Sequence, residues 1–329
     1  MSVEQILVAE DEADIRLDRW FRRHFPGLRQ GAIERLCRTG QVRVDGRRAH
    51  GATRLAAGQA VRIPPLPAET PPGASPRAPE PPDPEAVKQL AGRILYRDDL
   101  ILVLDKPAGL PVQGGPGIRR HLDGLLEGLR GNAHERPRLV HRLDRETAGV
   151  LVVACSAFAA ASLARSFRGR EVQKLYWAVV LGAPSEPRGR IDVPLVRMRT
   201  HRFGRTEPAG DHPGARAISD YVTRERAGNR FAWLELSPLT GRTHQLRVHC
   251  AALGTPILGD VTYGGDDARP RGFPTTLHLL ARRIALPHPA GGHISVEAPL
   301  PAHLSETFRL LGFAAPRAHP PRWTRGCPA

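Results

Sequence analysis

Between Leu66 and Glu85 the chain reads LPAETPPGASPRAPEPPDPE, dense in proline and almost free of apolar residues. Such a stretch has too little apolar surface to join a core, and it runs extended. One continuous fold is thereby excluded. The 329 residues divide into a small N-terminal domain (1–64), a linker (65–86) and a large domain (87–312). The large domain is long enough to bury a sizeable core. The closing APRAHPPRWTRGCPA reads as part of a disordered basic tail over 313–329.

The N-terminal part predicts two helices and then a small sheet. In IRLDRWFRRHF, Leu17, Trp20, Phe21 and Phe25 share one face while Arg16, Arg19, Arg22 and Arg23 lie elsewhere. Pro26-Gly27 stops that helix. GAIERLCRTG repeats the pattern with Ile33, Leu36 and Cys37 inward and ends at Gly40. QVRVDGRRA alternates Val42 and Val44 with polar neighbours and turns at Asp45-Gly46, a hairpin signal, and GQAVRIP closes the unit.

The large part alternates strand and helix signals. DLILVLDKP, AGVLVVA, EVQKLYWAVVLG, ARAISDYVTRE, RFAWLELSPL, LARRIAL and GHISVEAP read as strands. SAFAAASLARSFR and THQLRVHCAALG read as helices. Consecutive strands with short links predict an α+β fold, a mixed and mostly antiparallel sheet flanked by helices. Regular βαβ repetition is missing, which disfavours a dinucleotide-binding fold.

The formal net charge is +15, nearly all of it from arginine, with Lys88, Lys106 and Lys174 the lysines. Clustered positive charge points to a polyanionic partner. A genome-wide arginine bias is the plainer alternative. Aromatics make up only 5% of residues, so broad stacking platforms for single strands are not expected. No apolar run is long enough to span a membrane, and the start has no signal pattern, so a cytoplasmic protein and no membrane partner are expected. Cys37, Cys155, Cys250 and Cys327 are far apart, which argues against a disulfide framework and a zinc site. Neither a phosphate loop nor a metal-ligand cluster is visible, so no cofactor and no metal are expected.

The stretch His141–Val150, HRLDRETAGV, carries the chemistry. It sets Asp144 among basic residues at the end of a loop that feeds the apolar strand AGVLVVA. A carboxylate between cations should stay ionised and is a candidate nucleophile or base. HRLD followed by a Thr-small-Gly turn resembles the active-site motif of the RluA family of RNA pseudouridine synthases. The usual turn is Thr-Ser-Gly; here it is Thr147-Ala148-Gly149, which lacks one hydroxyl. Three further stations resemble the same family in order: Lys106-Pro107-Ala108-Gly109, Lys174-Leu175-Tyr176-Trp177-Ala178, and Gly241-Arg242-Thr243-His244-Gln245-Leu246-Arg247-Val248-His249. LGDVTYGG and LHLLARRIALPHP match as well. The turn Gln113–Gly117 is most similar to the C subgroup, which acts on large-subunit ribosomal RNA. Residues 15–64 resemble the S4 RNA-binding domain, with Gln30 where that family often has Ser.

The resemblance implies conversion of uridine to pseudouridine within RNA, with ribosomal RNA or a pre-ribosomal particle as partner and a monomeric enzyme. It implies that Asp144 acts at C1′ of a flipped-out nucleotide, either bonding to it or removing a sugar proton. Arg247 is implied as the partner of Asp144, with Arg242 as the alternative. Tyr176 is implied to stack on the base, Arg142 to fill the vacated space and Leu246 to close the other face of the uracil. Arg19, Arg22, Arg23, Arg29, Arg35, Arg38 and Arg43 are the expected phosphate contacts of the S4-like domain, though an ordinary solvated helix face accounts equally well for any one of them. Two competing readings stand: a ribosome-assembly or RNA-folding factor in which binding outweighs catalysis, and a glycosidase. The latter needs a second carboxylate, for which Glu146 is the nearby candidate.

Overall fold

The computed structural model describes residues 3–28, 30–66, 82–115, 117–131, 134–198, 205–314 and 316–324. The chain forms two compact units, Met1–Glu80 and Pro81–Ala329. Most of the proline-rich stretch lies outside the described residues, as do Arg29 and Cys327.

In the first unit the elements are β1 (Glu4–Leu7), α1 (Leu17–His24), α2 (Gln30–Arg38), β2 (Arg43–Val44), β3 (Arg47–Arg48) and β4 (Ala60–Ile63). The strands form an antiparallel sheet in the order β1-β4-β2-β3. Leu17, Trp20, Phe21, Ile33, Cys37, Val44 and Val61 fill the core. Asp45 and Gly46 both take positive φ (48° and 74°). That is the turn whose twist matches a two-residue hairpin. Strand β1 had no clear alternation in EQIL and was not foreseen. Arg19, Arg22, Arg23, Arg35, Arg38 and Arg43 are exposed. Arg23 is already matched by Asp11 at 2.8 Å and Glu12 at 3.5 Å.

The second unit begins with α3 (Pro84–Ala91), inside the stretch expected to be linker. Asp83 caps it by accepting from the Glu85 N–H, and Pro84 occupies a first-turn position where a missing N–H costs nothing. Ala86 and Leu90 then face inward. There follow β5 (Ile94–Arg97), β6 (Ile101–Lys106), α4 (Leu122–Leu125), β7 (Arg138–Leu139), β8 (Ala148–Ala154), α5 (Ala157–Gly169), β9 (Gln173–Leu181), β10 (Arg188–Asp192), β11 (Leu195–Met198), β12 (Arg205–Pro208), β13 (Ile218–Ala227), β14 (Phe231–Pro238), α6 (Gln245–Ala252), α7 (Val261–Gly264), β15 (Leu279–Pro287), β16 (His293–Glu297), α8 (Ala302–Leu311) and β17 (Arg322–Thr324).

The main sheet runs β10-β13-β14-β9-β15-β8-β6-β5, with β7 on β8 and β16 on β15. Its described pairs are antiparallel except β15 with β8, where Leu280 and Ala281 face Ala148 and Gly149. The mixed, mostly antiparallel fold read from the sequence is therefore correct. Strand β8 is buried along its whole length. Val150 and Val152 pack with Trp177, Val179 and helices α5 and α8, while Leu151 and Val153 pack with Leu102, Leu104, Leu122 and Leu126. A strand covered on both faces reads as an unbroken apolar run, which is why AGVLVVA stood out.

Gly149 has φ 108°, and a Cβ there would run into the Ala281 backbone across the parallel pair. Only glycine suits that close approach.

The expected disordered tail is corrected for its described part. Strand β17 pairs antiparallel with β16, and Glu297 accepts from the His319 N–H at 3.1 Å. Backbone pairing on an exposed sheet edge needs no apolar side chains, so composition could not reveal it.

Candidate active site

The loop that carries Asp144 is fastened from below. Lys106, at the end of β6, is fully buried and donates three hydrogen bonds, to the carbonyls of Pro107 (2.8 Å), Leu110 (2.9 Å) and Arg145 (2.9 Å). The Gly109 N–H adds a bond to the same Arg145 carbonyl, and the Thr147 N–H closes onto the Asp144 carbonyl. One ammonium thus ties the Lys106–Gly109 turn to the residue after Asp144. Burial pulls the Lys106 pKa down to about 8, with Glu146, Asp144 and Asp105 acting the other way.

From the side, His141 Nε2 accepts the Val152 N–H at 2.8 Å while its ring stacks on Phe167 at 4.7 Å. Burial and the neighbouring Lys174 charge push His141 down to about 3, so it is a neutral, structural ring.

A cavity of about 310 Å³ opens above this loop. Asp144, Arg142, Tyr176, Arg242, Leu246 and Arg247 all line it. Four chain segments deliver them: the HRLD loop, strand β9, the turn after β14, and the first turn of α6. Glu146 is not on the lining and sits 3.2 Å from Arg145, so a second carboxylate is lacking where a glycosidase would need one.

The turn that begins α6 is built by Gln245. Its Oε1 accepts from the Thr240 hydroxyl (2.7 Å) and the Arg242 N–H (3.0 Å), and its Nε2 donates to the Ile218 carbonyl and the Ser219 hydroxyl, both 2.9 Å. His244, before the helix, takes the left-handed conformation (φ 54°, ψ 16°). That turn aims its Nε2 toward Asp144 Oδ1 at 4.0 Å while Nδ1 meets the Tyr263 hydroxyl at 2.8 Å. Burial, helped by Arg247, holds the His244 pKa below the usual imidazole value against the pull of Asp144.

The expected Asp144–Arg247 ion pair is corrected. Arg247 Nε and Nη2 fork onto Asp260 Oδ2 and Oδ1 at 2.7 and 2.6 Å, with both side chains almost wholly buried. Asp260 caps α7 by accepting from Thr262 and Tyr263, which fixes its carboxylate against Arg247. Asp144 reaches Arg247 only as a nearby charge. Arg242 does not take its place: its Nε donates to the Arg216 carbonyl at 3.1 Å. The Tyr263 ring lies 5.0 Å from the Arg247 guanidinium and 5.1 Å from that of Arg205.

Tyr176 sits on β9 opposite Leu236 and Ala281. Burial and the Asp144 charge both raise its pKa, so its phenol keeps its proton. Leu246 is buried with Val180, Leu234 and Cys250, leaving an apolar patch on the cavity wall.

Reading the sequence singled out Asp144, Tyr176, Arg142, Arg242, Leu246 and Arg247, and the fold brings all six to one cavity. It did not find Asp260, Tyr263 or the loop-tying role of Lys106. The LGDVTYGG stretch was a signal for the first two, but its function depends on the packing of α7 against α6. Among the described residues no group of three or more His, Cys, Asp or Glu side chains could hold a metal ion, and no helix is long and apolar enough to cross a membrane.

Comparison with known proteins identifies the family. The profile of the RNA pseudouridylate synthase family matches residues 100–252, the span that holds all six residues. Ribosomal large subunit pseudouridine synthase C of Vibrio cholerae is 35% identical over 318 residues, covering 94% of this chain and 97% of that protein. The Escherichia coli protein of the same name is 36% identical over 326 residues, with 94% and 97% covered. The solved structure of human RNA pseudouridylate synthase domain containing 4 superposes with a TM-score of 0.60 at 29% identity, covering 71% of this chain and 98% of that one. A shared fold, a family profile over residues 100–252 and relatives matched along nearly their whole length leave one conclusion: this chain belongs to the RNA pseudouridylate synthase family and is an enzyme of that class.

Proposed function

We propose that this enzyme isomerises uridines to pseudouridine in large-subunit ribosomal RNA, with Asp144 acting at C1′ of an everted nucleotide. The single observation that carries this reading is the cavity itself. It is lined by Asp144, one-fifth exposed, by a neutral Tyr176 and by the apolar Leu246. The N1–C1′ bond breaks, the uracil rotates, a C5–C1′ bond forms, the C5 proton leaves and N1 gains one. The product is an isomer, so the reaction consumes no co-reactant.

Developing positive charge at C1′ is met by the Asp144 carboxylate, which either bonds to the carbon or takes a sugar proton. Tyr176 offers its ring for stacking on the uracil. A phenolate is disfavoured there, so any proton Tyr176 takes from C5 must be matched by one it gives up. Arg247, locked by Asp260, supplies a fixed positive wall. Everting the base costs roughly a few kcal/mol, which Arg142 helps to offset by occupying the gap. Arg242 borders the same cavity as a substrate contact. The first unit resembles an S4 domain and presents Arg19, Arg22, Arg35, Arg38 and Arg43 to the RNA backbone, raising its effective concentration at the cavity. The enzyme acts as a cytoplasmic monomer on ribosomal RNA or its assembly intermediates.

The test is Asp144→Asn in cells lacking the native gene, with pseudouridine mapped in ribosomal RNA by a chemical tag, because product and uridine have equal mass. Expected is loss of specific sites and a rate fall of at least about 10³-fold in vitro. Undiminished modification overturns the reading. Full rescue of growth by the inactive variant would show that RNA binding is the main task.

A further inference from the structure

A second cavity of about 660 Å³ lies beside the first. The two share Lys174, Pro238, Thr240, Gly241 and Arg242, so a single strand residue and one turn separate them. Arg168 and Arg170 enter it from the end of α5, and Arg283 from β15. With Lys174 and Arg242 these are five cationic side chains, and no Asp or Glu lines the cavity. Arg168, Arg170 and Arg283 are exposed and make no ion pair among the described residues. Some arginines elsewhere on the unit are held by acids, as Arg93 by Asp105, Arg136 by Asp123 and Arg190 by Asp220, and others are unpaired singly; here three unpaired arginines line one cavity.

Two further features separate this trench from an ordinary basic surface. First, Arg170 is the residue after α5 and sits at φ 62°, ψ 23°. Glycine is the unstrained choice for such a left-handed cap. The chain carries a cation there at a conformational cost. Second, the lining beneath the cations includes Phe167, Val172 and Leu175. Charge above an apolar base suits a nucleotide, whose phosphate is anionic and whose base is flat and weakly polar, better than an inorganic anion. A nucleotide in the first cavity is covalently joined to its neighbours, so the strand must leave across some wall. The shared wall leads into five unopposed cations.

We propose that this trench seats the phosphates flanking the target uridine on one side, holding the RNA strand between the end of α5 and the 238–242 turn. This rests on the RNA-modifying reading above and adds the path of the strand.

The test uses the full chain. Binding of a short oligouridylate is followed by fluorescence anisotropy across a salt series. Each single-strand phosphate contact contributes about 0.7 to the slope of log K against log salt. The triple variant Arg168→Ala/Arg170→Ala/Arg283→Ala should lower the slope by about 2 and weaken binding about 100-fold at 0.1 M salt. Arg170→Gly removes one cation while relieving the backbone. It should lower the slope by about 0.7 with no fall in melting temperature, which keeps the test valid if the triple variant folds poorly. The triple Lys variant should restore the slope.

A second measurement tests the one-sided path. An RNA hairpin carrying a modified site is trimmed on the 5′ or the 3′ side of the target. The native enzyme should lose KM on trimming one side only, and the triple Ala variant should be indifferent to that same trimming. Unchanged salt slopes, or equal sensitivity of native and variant enzymes to trimming, overturn the trench. Failure of the native enzyme to make pseudouridine in any RNA overturns the functional reading instead, and the binding slopes are read without turnover.

Discussion

The Arg247–Asp260 pair is the most consequential contact under the site, and removing one half of it gives a sharp test. Asp260→Asn leaves the Arg247 guanidinium buried without its counter-charge; the two side chains are 8% and 0% exposed and bonded at 2.6 and 2.7 Å. Breaking one half of a buried, fork-on pair costs about 3–5 kcal/mol. For a unit of this size that is about 6–20 °C in melting temperature. The assay is a thermal melt with a parallel denaturant titration, and turnover is measured well below the melt. The decisive comparison is the double variant Arg247→Met/Asp260→Leu. Apolar replacement of a whole buried pair is commonly neutral or better, and the lost α7 cap costs about 1 kcal/mol, so stability should return to within about 2 kcal/mol of native while activity stays lost. A melt shifted by less than about 2 °C in Asp260→Asn would refute the reasoning. So would a double variant as unstable as the single one.

Acid should destabilise the protein through His141, whose folded pKa of about 3 lies below the ordinary 6.5. Between those values the unfolded chain holds the extra proton, so stability rises with pH and is lost as pH falls below about 6.5, by up to about 1.4 kcal/mol per pH unit. His141→Gln, which keeps an acceptor for Val152, should flatten the fall in melting temperature from pH 8 to pH 5; parallel curves would contradict this. Gly149→Ala should cost about 3 kcal/mol or more, because both the positive φ and the Ala281 backbone oppose a side chain; a melt within 2 °C of native removes that argument. Tyr263→Phe, which frees His244 Nδ1, should lower kcat about tenfold with little change in KM, matching one lost orienting hydrogen bond; an unchanged kcat shows that the His244 orientation does not matter.

Several parts of this enzyme were legible because their signals are local. Asp45-Gly46 announces a tight hairpin in two residues, and the alternation of QVRVDG sets its register. The covered strand β8 declares itself as an unbroken apolar run. The motifs around Asp144, Tyr176 and Arg247 are short enough to be recognised without any knowledge of what they touch. Strands β11 and β12 were missed because each is only four residues long, too short to show an alternation, and β17 because its pairing uses backbone groups that every residue carries.

By itself, the amino-acid order determined the mixed sheet and the identity of six residues that meet in one cavity. Only the tertiary structure decided whom those residues bond. Arg247 finds Asp260 rather than Asp144, Lys106 clamps the Asp144 loop through carbonyls, and Arg170 turns toward a cationic trench. Each of these is a contact across elements, set by how α6, α7 and the sheet pack. A buried charge takes the partner that packing brings within hydrogen-bond reach, and a linear pattern does not encode that distance.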